Sequence, residues 1–260
     1  MPRRDGEVTM TTPSSGTWWH SVSSTRAYEQ CPRRYWYGHV AKLPAERHVP
    51  PAWRIGSAVH AGLEAAYRHR GTHPDAPLLD GLPAALDALR SAWARLELPH
   101  DDGSAERAAA WVTRSLQRDV LATSTVLGVE QPFRDELSPG HRIIGYADLL
   151  LDRDERTSEV VDHKVTRRRA APDELIDDLQ LNLYGALVRR QWPDRDRVRA
   201  TLHYPVAPAA VTVTLTEDTM AAARDHLTTV ARRAAADTTF EVVPGRHCDH
   251  CPWRPRCPAG

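Results

Sequence analysis

Two short apolar stretches that each carry a carboxylate constrain this chain more than any other feature. The segments Gly145-Tyr-Ala-Asp148-Leu-Leu-Leu and Glu-Val-Val-Asp162-His-Lys164 have the apolar runs of two buried strands, separated by a polar turn over residues 152–157. Adjacent strands would bring both carboxylates and the lysine into one small volume. Burying two like charges together is costly because they repel each other and lose hydration. A divalent cation would remove that cost.

The lysine of this pattern is unusual for this chain. The sequence contains 34 lysine and arginine residues, of which only Lys42 and Lys164 are lysines. An ammonium group is a compact charge whose pKa shifts readily, whereas a guanidinium stays protonated and favours a planar partner. Lys164 is therefore a candidate for chemistry beside the two carboxylates. The alternative is an ordinary salt bridge at a strand end, with Asp148 or Asp162 as the partner.

Two helical segments carry further candidates. Residues 56–67 have helical apolar spacing and place His60 and Glu64 four residues apart, on one face. A lone histidine on a helix is often a structural group rather than a ligand. After the second acidic strand, another helical segment places Gln180 and Tyr184 one turn apart on the same face.

In combination, these features resemble the PD-(D/E)XK nuclease superfamily, and within it the RecB-type exonuclease branch. The matching patterns are Gly-x-x-Val-His-x-x-Leu-Glu, Gly-x-x-Asp, Asp-x-Lys and Gln-x-x-x-Tyr, and the resemblance extends from about Ser23 to Cys257. It implies an α/β fold with a restriction-endonuclease-like core, in which helices flank a mixed central sheet. N-terminal helices and a cysteine-rich C-terminal clip would complete the fold. One departure is Asp162, where many members of the superfamily have Glu.

The resemblance also implies which residues act in the site. The implied catalytic residues are Asp148, Asp162, Lys164, Gln180 and Tyr184. The implied ligands of Mg²⁺ or Mn²⁺ are the backbone carbonyl of His163 and the side chains of His60, Asp148, Asp162 and Glu130. Lys164 would position or activate the attacking water, while Gln180 and Tyr184 would contact DNA or orient catalytic groups. Glu130 lies where the family often has an acidic residue on its first strand, and the alternative is a solvent-facing carboxylate.

The cysteines form a second candidate site, comprising Cys31, Cys248, Cys251 and Cys257. Three of them are spaced by two and five residues near the C-terminus, and the fourth precedes a proline. Zinc fingers usually supply ligands in two close pairs, whereas four thiolates are the usual ligands of a 4Fe-4S cluster. The resemblance agrees, because its RecB-type branch includes members that hold such a cluster with one cysteine before the core and three after it. A structural Zn²⁺ site, with or without His247 or His250, is the alternative.

Binding of nucleic acid requires local positive charge in this chain, because its formal net charge is zero and its pI is about 7.2. The candidate DNA-binding residues are Arg33, Arg34, Arg167 and Arg168, although arginine clusters often form only a solvated face. Aromatic residues surround the first pair and could either stack on single-stranded DNA or pack around Cys31. They are Tyr28, Tyr35, Trp36 and Tyr37.

The length of 260 residues suits one large domain. We predict a disordered lead-in over residues 1–20 and a single nuclease domain over residues 21–260. Its first helix begins at Ser23 or Ser24 and breaks at Pro32. The other predicted elements are a helical insertion over about 82–123, strands over 124–133, 199–204 and 210–215, and helices over 172–187 and 217–235.

The predicted function is metal-dependent hydrolysis of DNA phosphodiester bonds by an exonuclease of DNA repair or recombination. The expected partners are DNA with a single-stranded end and a separate helicase subunit, because the sequence has no ATPase phosphate-binding loop. The alternatives are a CRISPR-associated adaptation nuclease and a catalytically silent iron-sulfur DNA-binding subunit of a helicase complex. No apolar run could span a membrane and no signal-peptide core is present, which predicts a cytoplasmic protein without a membrane partner.

Overall fold

The computed structural model describes residues 16–45, 51–100, 102–122 and 125–259. These residues group into two compact units, each assembled from distant parts of the chain. Unit 1 comprises the described parts of residues 1–49, 134–145 and 224–260, and unit 2 comprises those of residues 50–133 and 146–223. The sequence predicted one domain from residue 21 onward, so this division adds an organisation that the sequence pattern does not indicate.

The described residues form eight α-helices. They are α1 (Val22–Gln30), α2 (Pro32–Tyr35), α3 (Pro51–Thr72), α4 (Leu82–Arg95), α5 (Ser104–Arg118), α6 (Pro172–Ile176), α7 (Leu179–Gln191) and α8 (Glu217–Ala236). A π-helical turn covers Trp36–Val40, and 3-10 turns cover Leu78–Gly81, Arg246–His250 and Arg254–Arg256. Helices α4 and α5 lie in the predicted insertion, of which residues 101 and 123 lie outside the described residues. None of the described helices is long and apolar enough to cross a membrane.

The strands form a six-stranded mixed sheet of order β1-β3-β4-β5-β6, with β2 also paired to β3. They are β1 (Trp18–His20), β2 (Thr125–Ser138), β3 (His141–Asp154), β4 (Thr157–His163), β5 (Arg197–Tyr204) and β6 (Ala209–Thr214). The two acidic strands, β3 and β4, are antiparallel neighbours, and β4 runs parallel to β5. Their predicted adjacency and the mixed α/β fold are therefore confirmed.

Unit 2 is built on the packing of α3, α4 and α5 against the sheet. Val59 of α3 and Val112 of α5 join Leu149 of β3 in one buried apolar cluster. The turn before α4 passes so close to α3 that a Cβ at Gly81 would lie 2.9 Å from the Cα of Ala66. This close approach fixes the turn before α4 on α3, and the shared apolar cluster packs α3 against β3, which carries the first acidic residue of the pattern.

Unit 1 has an aromatic core. Its buried aromatic residues are each at most 6% exposed and pack with Phe240; they are Tyr28, Tyr35, Trp36 and Tyr37. Rings buried in a core cannot stack on DNA. Their burial therefore favours packing over stacking on single-stranded DNA, and Tyr37 is the member of the group that lines a cavity with Cys31.

The first helix begins earlier than predicted. Ser21 caps α1, because its side chain accepts a hydrogen bond from the backbone N of Ser24 and the Ser24 hydroxyl bonds the backbone of Ser21 in return. Neither Ser23 nor Ser24 is the cap. The predicted break at Pro32 is confirmed, since α1 ends at Gln30 and α2 starts at the proline.

Two other boundaries differ from the predictions. Trp18–His20 form β1 and pair with His141–Ile143, so the predicted lead-in is wrong at its C-terminal end. Residues 1–15 lie outside the described residues. The single helix predicted after β4 is divided into α6 and α7, because Asp178 caps α7 by accepting a hydrogen bond from the backbone N of Leu181 at 2.9 Å.

Candidate active site

The two acidic strands stop pairing beside their carboxylates. The last backbone pair of β3 with β4 is Leu149 with Val161. Beyond it, Oδ2 of Asp148 accepts a hydrogen bond from the backbone N of His163 at 2.7 Å. The backbone N of Lys164 instead donates to a carbonyl of β5 at 2.7 Å. A side chain thus replaces the backbone pairing of β3 and β4 at this point, and the candidate site lies there.

Asp162 is held by its neighbours in unit 2. Its Oδ1 accepts a hydrogen bond from Nε2 of Gln180 on α7 at 2.8 Å. Its Oδ2 lies 2.7 Å from Nζ of Lys164, yet it is buried and forms no hydrogen bond of acceptable geometry. The Lys164 side chain is 42% exposed. The structure therefore brings these three residues together with the ammonium group accessible to a substrate.

Helix α3 supplies His60 to the same place. Nδ1 of His60 lies 3.4 Å from Oδ2 of Asp148, so a protonated His60 would form an ion pair with this carboxylate. One helical turn later, Glu64 forms a salt bridge with Arg68 at 2.7 Å. The packing of α3 on β3 is what places the histidine beside the strand carboxylate.

The carboxylates of the site repel one another. Burial raises the pKa of Asp148, and the Asp162 carboxylate raises it further, whereas His60 opposes the increase. Burial also raises the pKa of Glu130, and the charges of Asp148 and Glu64 add to the effect. Glu130 has a φ of 50°, a left-handed conformation that is uncommon in residues other than glycine and recurs at functional sites. Glu130 is thus partly buried within electrostatic reach of Asp148.

Two buried histidines support the site. Nδ1 of His163 lies 2.9 Å from Nδ1 of His203 on β5. The His163 ring stacks on Tyr67 and meets His60 edge-on, with both centroid distances at 5.7 Å. Burial lowers the pKa of His203 to about 4 and that of His163 well below its usual value. Neither His203 nor Tyr67 could be identified from the sequence, because neither has a spacing that distinguishes it from core residues.

Tyr184 contacts the backbone rather than a carboxylate. Its hydroxyl accepts a hydrogen bond from the backbone N of Tyr146 at 3.2 Å, and its ring centroid lies 5.8 Å from that of Phe133. Burial raises the pKa of Tyr184 to about 12, and the residue is only 6% exposed. A direct contact with DNA, one of its two predicted roles, does not fit this burial. Tyr184 instead fixes β3 two residues before Asp148.

The donor atoms of the site suit a hard divalent cation. Carboxylate oxygens suit Mg²⁺ and Mn²⁺, and an imidazole nitrogen is common in transition-metal sites. Burial and the Asp162 carboxylate raise the pKa of Asp148, and a cation bound by both carboxylates would offset their repulsion. Among the residues that the structure describes, however, no three His, Cys, Asp or Glu side chains are arranged around one metal position. The predicted ligand set is therefore assembled only in part, with His60 and Asp148 in contact with each other.

In unit 1, the cysteine side chains line one cavity. The four free cysteines are Cys31, Cys248, Cys251 and Cys257. Burial raises the pKa of Cys251, and Cys257 and Cys31 add to the increase, whereas Arg34 lowers it. Within the described ranges, the thiols do not form a ligand set for a single metal ion. The structure thus brings together the cysteines that the sequence singled out, and it shows neither a zinc-binding nor an iron-sulfur-binding group.

Three of the four predicted DNA-binding arginines, Arg33, Arg34 and Arg168, have intramolecular contacts in the structure. Nε of Arg33 donates to the carbonyl of Phe240 at 2.9 Å, and Arg33 and Arg34 both line the cysteine cavity. In unit 2, Arg168 donates to both carboxylate oxygens of Glu174, at 2.7 and 2.9 Å. Arg167 is exposed to solvent. Arg167 and Arg168, which are both exposed, therefore fit DNA binding better than the half-buried Arg33 and Arg34.

Comparisons with known proteins agree with this geometry. The profile of the PD-(D/E)XK nuclease superfamily matches residues 20–258. No curated protein matches the chain. Among solved structures, the chain is similar to a "Putative exonuclease" from Eubacterium rectale, with 13% identity and a TM-score of 0.53 over 88% of this chain and 84% of that chain. It is also similar to SSO0001, with 15% identity and a TM-score of 0.43 over 96% and 89% of the two chains.

The first of these structures supports the fold, and the second has too low a TM-score to support any conclusion. The superfamily profile covers far more than half of the sequence, including both acidic strands and all four cysteines. The chain therefore belongs to the PD-(D/E)XK nuclease superfamily, whose members hydrolyse phosphodiester bonds.

Proposed function

We propose that this chain is a metal-dependent deoxyribonuclease of the RecB-type branch, which acts as an exonuclease in DNA repair or recombination. The observation that supports this proposal most strongly is the convergence of catalytic groups in unit 2 where β3 and β4 stop pairing. A carboxylate from each strand, an accessible ammonium group and a helical imidazole meet there; they belong to Asp148, Asp162, Lys164 and His60.

A divalent cation, Mg²⁺ or Mn²⁺, would be held by the carboxylates of Asp148 and Asp162 together with His60. Glu130 and the backbone carbonyl of His163 are further candidate ligands. When bound, the cation would polarise the scissile phosphate and lower the pKa of a water molecule. The Oδ2 of Asp162 lies 2.7 Å from Nζ of Lys164, so a cation bound there would share this oxygen with the ammonium group.

The remaining residues act on the substrate or on the carboxylates. Lys164 positions the attacking water and stabilises the negative charge that develops on the phosphate, a type of contribution worth about 10²–10³-fold in rate. Gln180 holds Asp162 by its Oδ1 and so leaves the other carboxylate oxygen for the cation. Tyr184 fixes the backbone of β3 beside Asp148.

For the cysteine cavity of unit 1 we propose a structural 4Fe-4S cluster. Zinc fingers usually supply their ligands in two close pairs, whereas Cys248, Cys251 and Cys257 are spaced by two and five residues and Cys31 is distant in sequence. A 4Fe-4S cluster distributes four thiolates over several iron atoms, so it suits thiols that line a cavity together. Iron, sulfide and zinc analysis of the purified protein distinguishes the two cofactors.

The nuclease proposal is tested by the cleavage of end-labelled single- and double-stranded DNA by anaerobically purified protein, with Mg²⁺ or Mn²⁺. We expect cleavage by the wild type and cleavage about 10²–10³-fold slower by Lys164→Ala. The matched control is Lys42→Ala, because Lys42 is an exposed lysine of unit 1. The Lys42→Ala variant should retain the wild-type rate. The order in which the wild type releases labelled products shows from which end of the DNA strand it cleaves.

Two outcomes would contradict the nuclease proposal. Equal rates for the wild type and Lys164→Ala would mean that the cleavage comes from a contaminant or from another site. DNA binding without cleavage by folded, cofactor-loaded wild type would instead favour a catalytically silent DNA-binding subunit.

A further inference from the structure

Tyr146 is a large aromatic residue on the same strand face as the catalytic carboxylate. It lies two residues before Asp148 in β3, and side chains of a strand alternate between its two faces. The pairing of Leu149 with Val161 sets the register, so Asp162 faces the same side as Asp148. A substrate bound at these carboxylates would therefore also meet the ring of Tyr146.

The exposure of Tyr146 is unusual for its position. The residue is 47% exposed, whereas the next residue, Ala147, is 1% exposed, and Leu149 is fully buried. A tyrosine in the middle of a long strand normally buries its ring against a neighbouring element. Tyr146 instead leaves about half of its surface to solvent, next to the residues that we propose to be catalytic.

The backbone of Tyr146 is held in place. Its backbone N donates to the hydroxyl of Tyr184 at 3.2 Å, and Tyr184 is 6% exposed and packs on Phe133. The acceptor of this hydrogen bond, Tyr184, lies on α7, which also holds Asp162 through Gln180. One helix therefore positions both the metal-binding carboxylate and the exposed ring.

We infer that Tyr146 stacks on an unpaired base next to the scissile phosphate, which makes single-stranded DNA the substrate class of this site. The inference rests on the proposed nuclease function. An exposed ring beside a cationic group is the combination that binds single-stranded nucleic acid, because the ring stacks on a base while the cation meets the phosphate. Lys164 supplies that cation, with its side chain 42% exposed. Bases in a duplex are already stacked on each other and leave no face for the ring.

The test measures DNA affinity under conditions that prevent cleavage. Fluorescence anisotropy in EDTA, without a divalent cation and with Lys164 in place, gives the Kd of the wild type and of Tyr146→Ala for a labelled single-stranded oligonucleotide and for a fully abasic strand of equal length. Loss of the ring should weaken binding of the strand with bases about 5- to 150-fold, the usual effect of removing one aromatic stacking partner. Binding of the abasic strand should not change.

Two controls separate stacking from a general effect of the substitution. Tyr146→Phe under the same conditions keeps the ring and should keep the affinity for the strand with bases. Leu79→Ala truncates another exposed apolar side chain of unit 2, which is 39% exposed, and should leave both affinities unchanged.

The outcomes also separate this inference from the nuclease proposal. If Tyr146→Ala leaves the affinity for the strand with bases unchanged, or lowers the affinity for both strands equally, the stacking role is wrong while the nuclease proposal stands. If the wild type binds neither strand in EDTA and cleaves no DNA with Mg²⁺ or Mn²⁺, the proposed function itself is wrong.

Discussion

The two candidate sites of this protein differ in how far the polypeptide alone organises them. In unit 2, the carboxylates lie on adjacent strands, and backbone and side-chain hydrogen bonds hold them, as in the bond from the His163 backbone to Asp148. In unit 1, three of the four cysteines lie in the irregular segment that contains the last two 3-10 turns, and the thiols share only a cavity. Regular structure therefore fixes the first site, whereas a bound cofactor would have to complete the second.

This difference reflects the chemistry of the ligands. A carboxylate can be held in place by hydrogen bonds before a cation binds, as Asp162 is held by Gln180. A buried thiol stays protonated without a cation, because burial raises the pKa of Cys251. Binding of a metal or cluster to such thiols is coupled to folding. We therefore expect substitutions in unit 2 to affect activity and substitutions at the cysteines to affect stability.

The largest effect on stability should come from Cys251→Ser. Loss of a structural cluster should lower the free energy of unfolding by more than about 4 kcal/mol, because the segments that carry the ligands are ordered only when the cluster is bound. For a chain of this size, that corresponds to a fall in Tm of about 8 °C or more. Thermal unfolding of the anaerobically purified variant, together with its iron content, measures the effect.

The matched control for this variant is His250→Ala. His250 lies between the cysteines in sequence and is exposed. The His250→Ala substitution should leave the iron content and Tm unchanged if the four cysteines are the ligands. A Tm of Cys251→Ser within about 1 °C of the wild type would contradict the assignment of a stabilising cofactor to unit 1.

A smaller effect, on activity, is expected for Gln180→Ala. The substitution removes the 2.8 Å hydrogen bond to Asp162 and should lower kcat about 10- to 100-fold, the value of one hydrogen bond to a charged group. Tm should change little, because Gln180 is only partly buried. Gln191→Ala, at the exposed end of the same helix, is the control and should retain full activity. If both variants are equally active, Gln180 does not position Asp162.

Acidic pH should lower the free energy of unfolding through buried histidines, among them His20 in unit 1 and His203 in unit 2. Burial lowers the pKa of His20 in unit 1 and of His203 in unit 2 to about 4. Both groups are neutral in the folded and unfolded states above pH 6.5. As the pH falls below 6.5, the unfolded state gains protons first, so stability is lost progressively down to about pH 4.

For each histidine this loss is about 2 kcal/mol between pH 7 and pH 5. His20→Gln and His203→Gln should each reduce the fall in Tm over this range by about 4–8 °C. Identical pH profiles for the wild type and His20→Gln would show that His20 does not resist protonation in the folded state.

Much of the site could be predicted from the sequence because its signals are local. The apolar runs around Asp148 and before Asp162 identified both strands, and the ring of Pro32 identified the break after α1. The combination of motifs also indicated the superfamily to which the chain belongs.

The features that were missed depend on contacts between residues distant in sequence. The bond between Tyr184 and the backbone of Tyr146 joins a helix to a strand 38 residues away, and no spacing rule predicts it. The contact of His203 with His163 likewise requires the register of two parallel strands. The division between α6 and α7 was missed because the leucine spacing continues across the capping residue Asp178.

The central claim, that the carboxylates of unit 2 form a divalent metal site, is tested most directly by titrating Mn²⁺ into the protein and measuring free Mn²⁺ by EPR. The variant is Asp148→Asn, and the control is Asp152→Asn, because Asp152 lies on the same strand but is paired with Arg195. We predict that the wild type and the control each bind one Mn²⁺, and that Asp148→Asn binds Mn²⁺ at least about 10-fold more weakly. The Tm of Asp148→Asn should be unchanged or higher, because the substitution removes one of two repelling charges. Mn²⁺ binding by Asp148→Asn that equals that of the wild type would contradict the claim.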